Sequence, residues 1–252
     1  MTTVRAPVSA DFHEPTALQL VVGDGRLALG GGLAQITRHR HTSAAVVVGL
    51  DRPLRLTTDR THVTRAALIS AGCDHAVGVE GRIAVFLLPV ATAGSSGAPI
   101  HDLTNVVTWR ELGEAVASGD LDDFAVVDRA VRRSVRHARE VDDRLRRALE
   151  AVAQALDENL PIEQLADTAR LSPSRLMALA RMHLGTSVRG YRRWLRTFEV
   201  ARRYAGGASL TEAAFDAGFA SSAHLASTSR ASFGIRPSQV LSPRSRGSIR
   251  VV

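Results

Sequence analysis

IEQLADTARLSPSRLMALARMHLG at residues 162–185 and LTEAAFDAGFASSAHLASTSRASFG at residues 210–234 are two copies of one pattern. Ile162, Leu165, Ala166 and Leu171 recur 48 positions later as Leu210, Ala213, Ala214 and Phe219. Ser172, Leu176, Arg181 and Gly185 recur 49 positions later as Ser221, Leu225, Arg230 and Gly234, so the offset changes by one residue inside the turn. Each copy predicts a short apolar-periodic helix, a tight turn opening on a serine that caps the next helix, and a second helix ended by glycine. That succession is a helix-turn-helix, the arrangement that places its second helix in a DNA groove. Two copies in one chain predict a protomer that reads two neighbouring groove segments.

Working outward, Val188, Tyr191, Leu195, Phe198, Ala201 and Ala205 form an apolar stripe between the copies, while Arg189, Arg192, Arg193, Arg196, Arg202 and Arg203 take the remaining positions. This spacing predicts a rigid spacer helix with a basic exposed surface. Upstream, Val141, Leu145, Leu149, Val152 and Leu156 share one helical face, with Pro161 opening the next helix. Leu121, Phe124, Val127, Val131 and Val135 share another.

The charge distribution agrees with a polyanion-binding C-terminal half. Residues 1–128 hold 10 Arg against 14 Asp plus Glu, a net of −4, and residues 129–252 hold 22 against 11, a net of +11. From Arg170 onward there are 14 Arg and three acids, Glu199, Glu212 and Asp216. Arg-rich genomic composition accounts for the absence of Lys, but it does not account for acids thinning out at one end.

The first half has a different period. LQLVV, RLALG, AQIT, AAVVVGL, AALIS and IAVFLLP are short β-type runs between residues 18 and 89, separated by Gly, Asp and Pro. Their spacing predicts an antiparallel sandwich or small barrel. Gly30-Gly31-Gly32 reads as a turn between strands, and ATAGSSGAP at residues 91–99 as a flexible connection. Cys73 is the single cysteine, which excludes an internal disulfide and agrees with a reduced compartment. No apolar run reaches the roughly 20 residues of a membrane span, so a cytoplasmic location with no membrane partner is expected.

Taken in order, LPIEQLADTARLS, LTEAAFDAGFAS and FGIRP resemble the two helix-turn-helix units and the terminal Phe-Gly-x-x-Pro element of the AraC/XylS family of bacterial transcription regulators. The resemblance covers about 100 residues, from roughly Val141 to Val240. It implies DNA contacts in the first unit at Ser174, Arg175, Met177, Ala178 and Arg181, and in the second at Ser222, Ala223, His224, Ser227 and Arg230. Of these, Arg175 and His224 are the larger polar groups near the groove-reading surfaces. Bidentate readout of guanine needs Arg or Lys, and of adenine Asn or Gln, and these helices offer little of either. Arg181, Arg192, Arg193, Arg196 and Arg230 are expected to contact phosphates, which supplies affinity without sequence information. The alternatives are that Arg175 is merely solvated and that His224 packs on the preceding helix.

The N-terminal half resembles the family's cupin-like sensor domains. His39 and His41, two apart on a strand, point to one face, and His75 follows a glycine-containing turn. Three such imidazoles line a pocket for a small-molecule effector, hold a metal, or are a vestige of a metal site. The acid that metal cupins place after His-x-His is missing, since Ser43, Ala44 and Ala45 stand there, so a pocket without metal or other cofactor is expected. Cys73 is a soft ligand within reach of this group or a small core residue.

These observations predict a multidomain β plus α protein. Residues 1–100 form the cupin-like sensor, 101–138 a helical linker or homodimerisation region, and 139–252 an all-α domain with two helix-turn-helix units. Its expected partners are double-stranded DNA, an effector and, from the family resemblance alone, RNA polymerase, with activation and repression left open. The rival readings are a metal-dependent cupin-like enzyme or metal sensor, and a weakly specific nucleoid-type DNA binder. The enzyme lacks a complete acid/base or metal constellation in the sequence.

Overall fold

The computed structural model describes residues 18–33, 35–89, 99–103, 107–134 and 141–252. The strands of the first half are β1 (Gln19–Gly23), β2 (Arg26–Gly32), β3 (Gln35–Arg40), β4 (Ala45–Gly49), β5 (Leu54–Thr57), β6 (Thr61–Thr64), β7 (Ala66–Ile69), β8 (Asp74–Gly78), β9 (Arg82–Leu87) and β10 (Ile100–Asp102). They form two sheets, ordered β10-β7-β4-β9-β2-β1 and β3-β8-β5-β6, with antiparallel neighbours throughout.

The larger sheet is covered on both faces, which explains why its central strands read as continuous apolar runs. Ala45, Val47, Ile83, Val85 and Leu87 belong to the cluster that continues into the second half, while Val46, Val48, Ala84 and Phe86 belong to another. Helices α1 (Val107–Ser118) and α2 (Ala125–Ser134) close that other face, with Trp109 fully buried 5.7 Å from the Phe86 ring. Leu121, Phe124, Val127 and Val131 are buried there as their spacing predicts, whereas Val135 lies outside the described residues. The Gly30–Gly32 run is not a turn but the end of β2. A Cβ on Gly30 would stand 2.6 Å from the Ala117 nitrogen, so the glycine lets α1 approach the sheet. Of the expected connection at 91–99, Pro99 alone is described, and its carbonyl accepts from the Ser70 amide.

The second half contains α3 (Asp143–Gln154), α4 (Ile162–Thr168), α5 (Pro173–Leu184), α6 (Val188–Ala205), α7 (Leu210–Asp216), α8 (Ser222–Phe233) and α9 (Pro237–Val240). Helices α4–α5 and α7–α8 are the two units read from the repeat. Ser172 and Ser221 accept the backbone N–H of Arg175 and His224, and Gly185 and Gly234 end α5 and α8 at φ 63° and 70°. The extra residue of the second offset falls between α7 and α8, where Gly218 takes the left-handed conformation that Arg170 takes in the first unit.

The last strand is among the elements that have no counterpart in the sequence pattern. After α9 the chain returns to the first half, and β11 (Ile249–Val251) adds in parallel to β1 at the sheet edge, Leu20 opposite Ile249 and Val22 opposite Val251. Three residues are too few to show a period, so nothing in the sequence separates this strand from a tail. The core is likewise shared: Leu29, Ile36, Leu149, Leu176, Phe198 and Leu225 belong to one buried cluster that runs from the sandwich interior into the helices. Among the described residues, no helix is long and apolar enough to cross a membrane.

Candidate functional site

Capping fixes which faces of the two second helices stay free. On α5, Leu176, Leu179, Ala180, His183 and Leu184 turn inward, leaving Ser174, Arg175, Met177, Ala178 and Arg181 exposed along one side. On α8, Leu225 and Ser229 turn inward and Ser222, Ala223, Ser227 and Arg230 are exposed. His224 is half-buried, its ring 5.3 Å from Phe219 in an edge contact, so it leans on the turn of its own unit. His224 and the exposed Arg193 border a cleft of about 480 Å³ between α8, the end of α5 and Arg40 of the sandwich.

The spacer helix α6 is less freely basic than its sequence suggests. Arg192 donates to the Leu160 carbonyl at 2.7 Å and to Asn159, and Arg196 donates to the Leu156 and Gly218 carbonyls and to Asn159. Arg202 pairs with Asp24 in the β1–β2 turn, and Arg203 with Glu199 and Asp216. These four guanidinium groups tie α6 to its surroundings, while Arg189 and Arg193 remain exposed. The expectation that Arg192 and Arg196 contact phosphates meets a competing use of their donors, because the chain's own carbonyls already occupy them. Asn159, at φ 55°, is the joint that accepts from both, and no pattern in the sequence marked it.

Strand pairing assembles the three histidines. His39 on β3 stands opposite His75 on β8, and His41 follows directly where β3 ends. Their ring centroids are 4.2–4.9 Å apart and all three are buried. The Nδ1–H of His39 donates to the Thr37 carbonyl at 2.8 Å, and that of His75 to the Cys73 carbonyl at 3.0 Å, which leaves both Nε2 atoms as lone pairs. His39 Nε2 lies 2.8 Å from His41 Nε2, so the proton between them belongs to His41. His41 Nδ1 and His75 Nε2 are buried without a hydrogen-bond partner. Burial, and then the nearby His75, hold His39 down at about 4; burial also pushes His41 well below the ordinary imidazole value and lowers His75. All three are therefore neutral near pH 7. Cys73 is outside the cluster, with its thiol directed at the Asp74 carbonyl. The donor set fits a cation that accepts nitrogen, because one ring nitrogen of each histidine lies within 4.8 Å of the others and backbone carbonyls fix the tautomers of His39 and His75 from behind.

The cluster opens on a cavity of about 90 Å³ between the two halves. Leu29, Val47 and Val85 line it from the sandwich, and Phe198, Leu225 and Phe233 from α6 and α8. The C-terminal end of α8 rests on the cluster's own strand: the Gly234 carbonyl accepts the Thr37 N–H at 3.0 Å and its hydroxyl at 2.8 Å. A Cβ on Gly234 would lie 2.3 Å from the Thr37 carbonyl oxygen and 2.7 Å from His39 Nδ1. The end of α5 meets the sandwich in a similar way, since a Cβ on Gly185 would lie 2.4 Å from the Cα of Gly72. Both glycines are legible in sequence as helix ends, but their second task as docking points is not.

A helix-turn-helix domain family matches residues 165–242. Among solved structures, ToxT from Vibrio cholerae O395 superposes with a TM-score of 0.59 at 10% identity, covering 89% of this chain and 95% of that one. Wild-type ToxT of Vibrio cholerae strain SCE256 with bound unsaturated fatty acid gives the same score and identity over 89% and 93%. The AraC-like transcriptional activator CuxR matches at a TM-score of 0.33 and 13% identity, over 74% and 80% of the two chains. No curated protein sequence matches significantly. The expected arrangement, a cupin-like sheet-rich half followed by a helical helix-turn-helix half, is the one found.

Proposed function

We propose that this chain, a transcription regulator of the AraC/XylS type by its matched helix-turn-helix domain and its ToxT-like fold, binds duplex DNA through α5 and α8 and adjusts that binding to the occupant of the cavity between its halves. The observation that carries this reading is the shared wall: Leu225, Ser229 and Phe233 of α8, the second helix of the second unit, form one side of the cavity. A ligand that prefers one placement of α8 shifts DNA affinity by its differential affinity for the two placements.

In this reading Arg175, with Ser174, Met177 and Ala178, faces base edges, while Arg181, Arg189, Arg193 and Arg230 meet phosphates. ToxT has been solved with an unsaturated fatty acid bound. An acyl chain would require the two halves here to part, because a cavity of about 90 Å³ is well below the roughly 300 Å³ at which organic-ligand pockets begin. Homodimerisation through the helices after residue 101 and contact with RNA polymerase belong to the same proposal.

The test is footprinting of the full chain on DNA upstream of its own coding sequence, repeated over a range of salt. Two protected regions about 10 base pairs apart on one face are expected. With these four exposed Arg neutralising phosphates, the slope of log affinity against log salt should be roughly −3 to −4. A salt-independent affinity, or equal affinity for every duplex, would sink the sequence-specific reading.

A further inference from the structure

We propose that His39, His41 and His75 together bind one divalent metal ion of zinc-like character, and that the bound ion fixes the seat of α8 on β3. The inference rests on the reading of the cavity as the signal site and names the class of signal.

Three observations converge on it. The first is the donor set: one ring nitrogen from each histidine lies within 4.8 Å of the others, with no carboxylate or thiol among them. Imidazole nitrogens about 2.0–2.1 Å from a tetrahedral zinc are roughly 3.3 Å from one another. Small movements of the rings are therefore sufficient, with His41 transferring its proton from Nε2 to Nδ1. The second is a lone nitrogen, His75 Nε2, buried without a partner. Buried polar atoms without partners are rare in folded proteins, and an absent ion is one of the few explanations for them. The backbone carbonyls behind His39 and His75 hold these rings as outer partners hold metal-binding histidines. The third is size and polarity, since a cavity of about 90 Å³ with apolar walls admits an ion and a small exogenous ligand more readily than a large organic molecule. Of its polar lining, the Thr197 and Ser229 hydroxyls donate to backbone carbonyls, whereas His75 Nε2 has no partner. The missing acid after His-x-His points to a pocket without metal, whereas the approach of the three ring nitrogens, which no spacing encodes, points to an ion.

The coupling follows from adjacency. Thr37 holds the His39 ring through its carbonyl and the Gly234 carbonyl through its N–H and hydroxyl. The His41 ring is 6.5 Å from Phe233, the last residue of α8. An ion that locks the three rings also locks the strand on which α8 is seated.

The full chain, stripped of metal, is titrated with cobalt(II) as a visible probe and then with zinc(II). One cobalt per chain is expected, with the intense visible absorption of a four- or five-coordinate nitrogen site, displaced by one zinc. In His41→Ala and His75→Ala the affinity should fall at least about 100-fold. The wild-type cobalt spectrum decides without relying on those variants to fold: a weak, six-coordinate spectrum or no 1:1 saturation would overturn the site. Hydrogen exchange at the Thr37 amide should slow on adding zinc, and an unchanged rate would overturn the coupling. Duplex binding by the zinc-loaded and zinc-free chain is measured separately. Its absence in both forms would count against the regulator reading, whereas a failed cobalt titration counts against the metal site.

Discussion

Helix α5 buries Leu176, Leu179, Ala180, His183 and Leu184, whereas α8, of the same length, buries Leu225 and Ser229. Their compositions differ in the same direction: PSRLMALARMHL is rich in strong helix formers, and SAHLASTSRASF holds four Ser and one Thr. Each Ser or Thr in a helix interior is worth about 0.5 kcal/mol less than Ala, so α8 has weaker local support as well as a thinner core. What keeps it helical is its docking on β3 and the cavity wall. The two units therefore share a backbone design but differ in what they depend on. The first stands on its own helices, and the second is conditional on the sensor half.

The most severe way to test that contrast is to put a charge in each core. Leu176→Asp and Leu225→Asp both replace a buried apolar anchor with a carboxylate that has no partner. Leu176→Asp should cost more than about 4 kcal/mol of global stability in urea unfolding. Leu225→Asp should release α8 at a smaller global cost, seen as fast hydrogen exchange confined to α8. Equal global losses from the two changes would erase the distinction.

The next effect is expected from acid. His39 titrates near 6.5 when unfolded and at about 4 when folded, so between those values the unfolded chain binds more protons. Stability of the metal-free chain is then complete above pH 6.5 and falls as the pH drops toward 4. His39 alone accounts for a loss approaching roughly 3 kcal/mol at the acid end, and His41 and His75 shift in the same direction. Urea unfolding between pH 4.5 and 7.5 measures the slope. A flat profile would mean that the histidines are not held neutral by the fold.

Somewhat smaller differences should separate the glycines. Gly207→Ala tests left-handed strain alone, since its φ is 109° and nothing lies within 4 Å of a new Cβ. It should cost about 1–2 kcal/mol. Gly234→Ala adds the clash with the Thr37 carbonyl and should cost about 1 kcal/mol more, together with faster exchange at the Thr37 amide. Gly185→Ala carries a comparable clash with Gly72, whose N–H donates to the His41 carbonyl, and should disturb the α5 end without the loss at the Thr37 amide. Identical costs at Gly207 and Gly234 would show that α8 yields to the added methyl without losing anything at its seat.

The parts of this fold that were legible in sequence are those with a long period or a repeated signal. The two units, their serine caps and glycine ends, the α6 stripe and the strands β4 and β9 all carry five or more residues of consistent pattern. Strands β5, β6 and β8 escaped because four or five residues mixed with Arg, Thr and Asp show little alternation, and β11 because three residues show none. For the candidate site, spacing brought His39, His41 and His75 to attention, but strand register alone puts His75 opposite His39. The convergence of their nitrogens depends on rotamers and on the Thr37 and Cys73 carbonyls, which no spacing encodes. Arg192 and Arg196 show the converse limit: the helix face shows them as basic, while the carbonyls of Leu160 and Leu156 that their donors reach lie on other elements that no spacing encodes.

The finest prediction concerns where sequence discrimination resides. Arg175 and His224 occupy the same position in the two copies, 49 residues apart, yet Arg175 is exposed while His224 rests its ring on Phe219. The long side chain of the first unit is free to reach a base edge, and that of the second is partly committed to its own turn. Arg175→Ala should therefore change the preference between the best duplex and a single-base variant by about 1 kcal/mol, while His224→Ala leaves that ratio nearly unchanged. Arg181→Ala and Arg230→Ala should weaken binding to all duplexes alike and reduce the salt slope by about one each. Competition binding against a panel of single-base variants separates these cases. If His224→Ala alters the ratio as much as Arg175→Ala, the second unit reads bases too, and its dependence on the sensor would then control specificity as well as affinity.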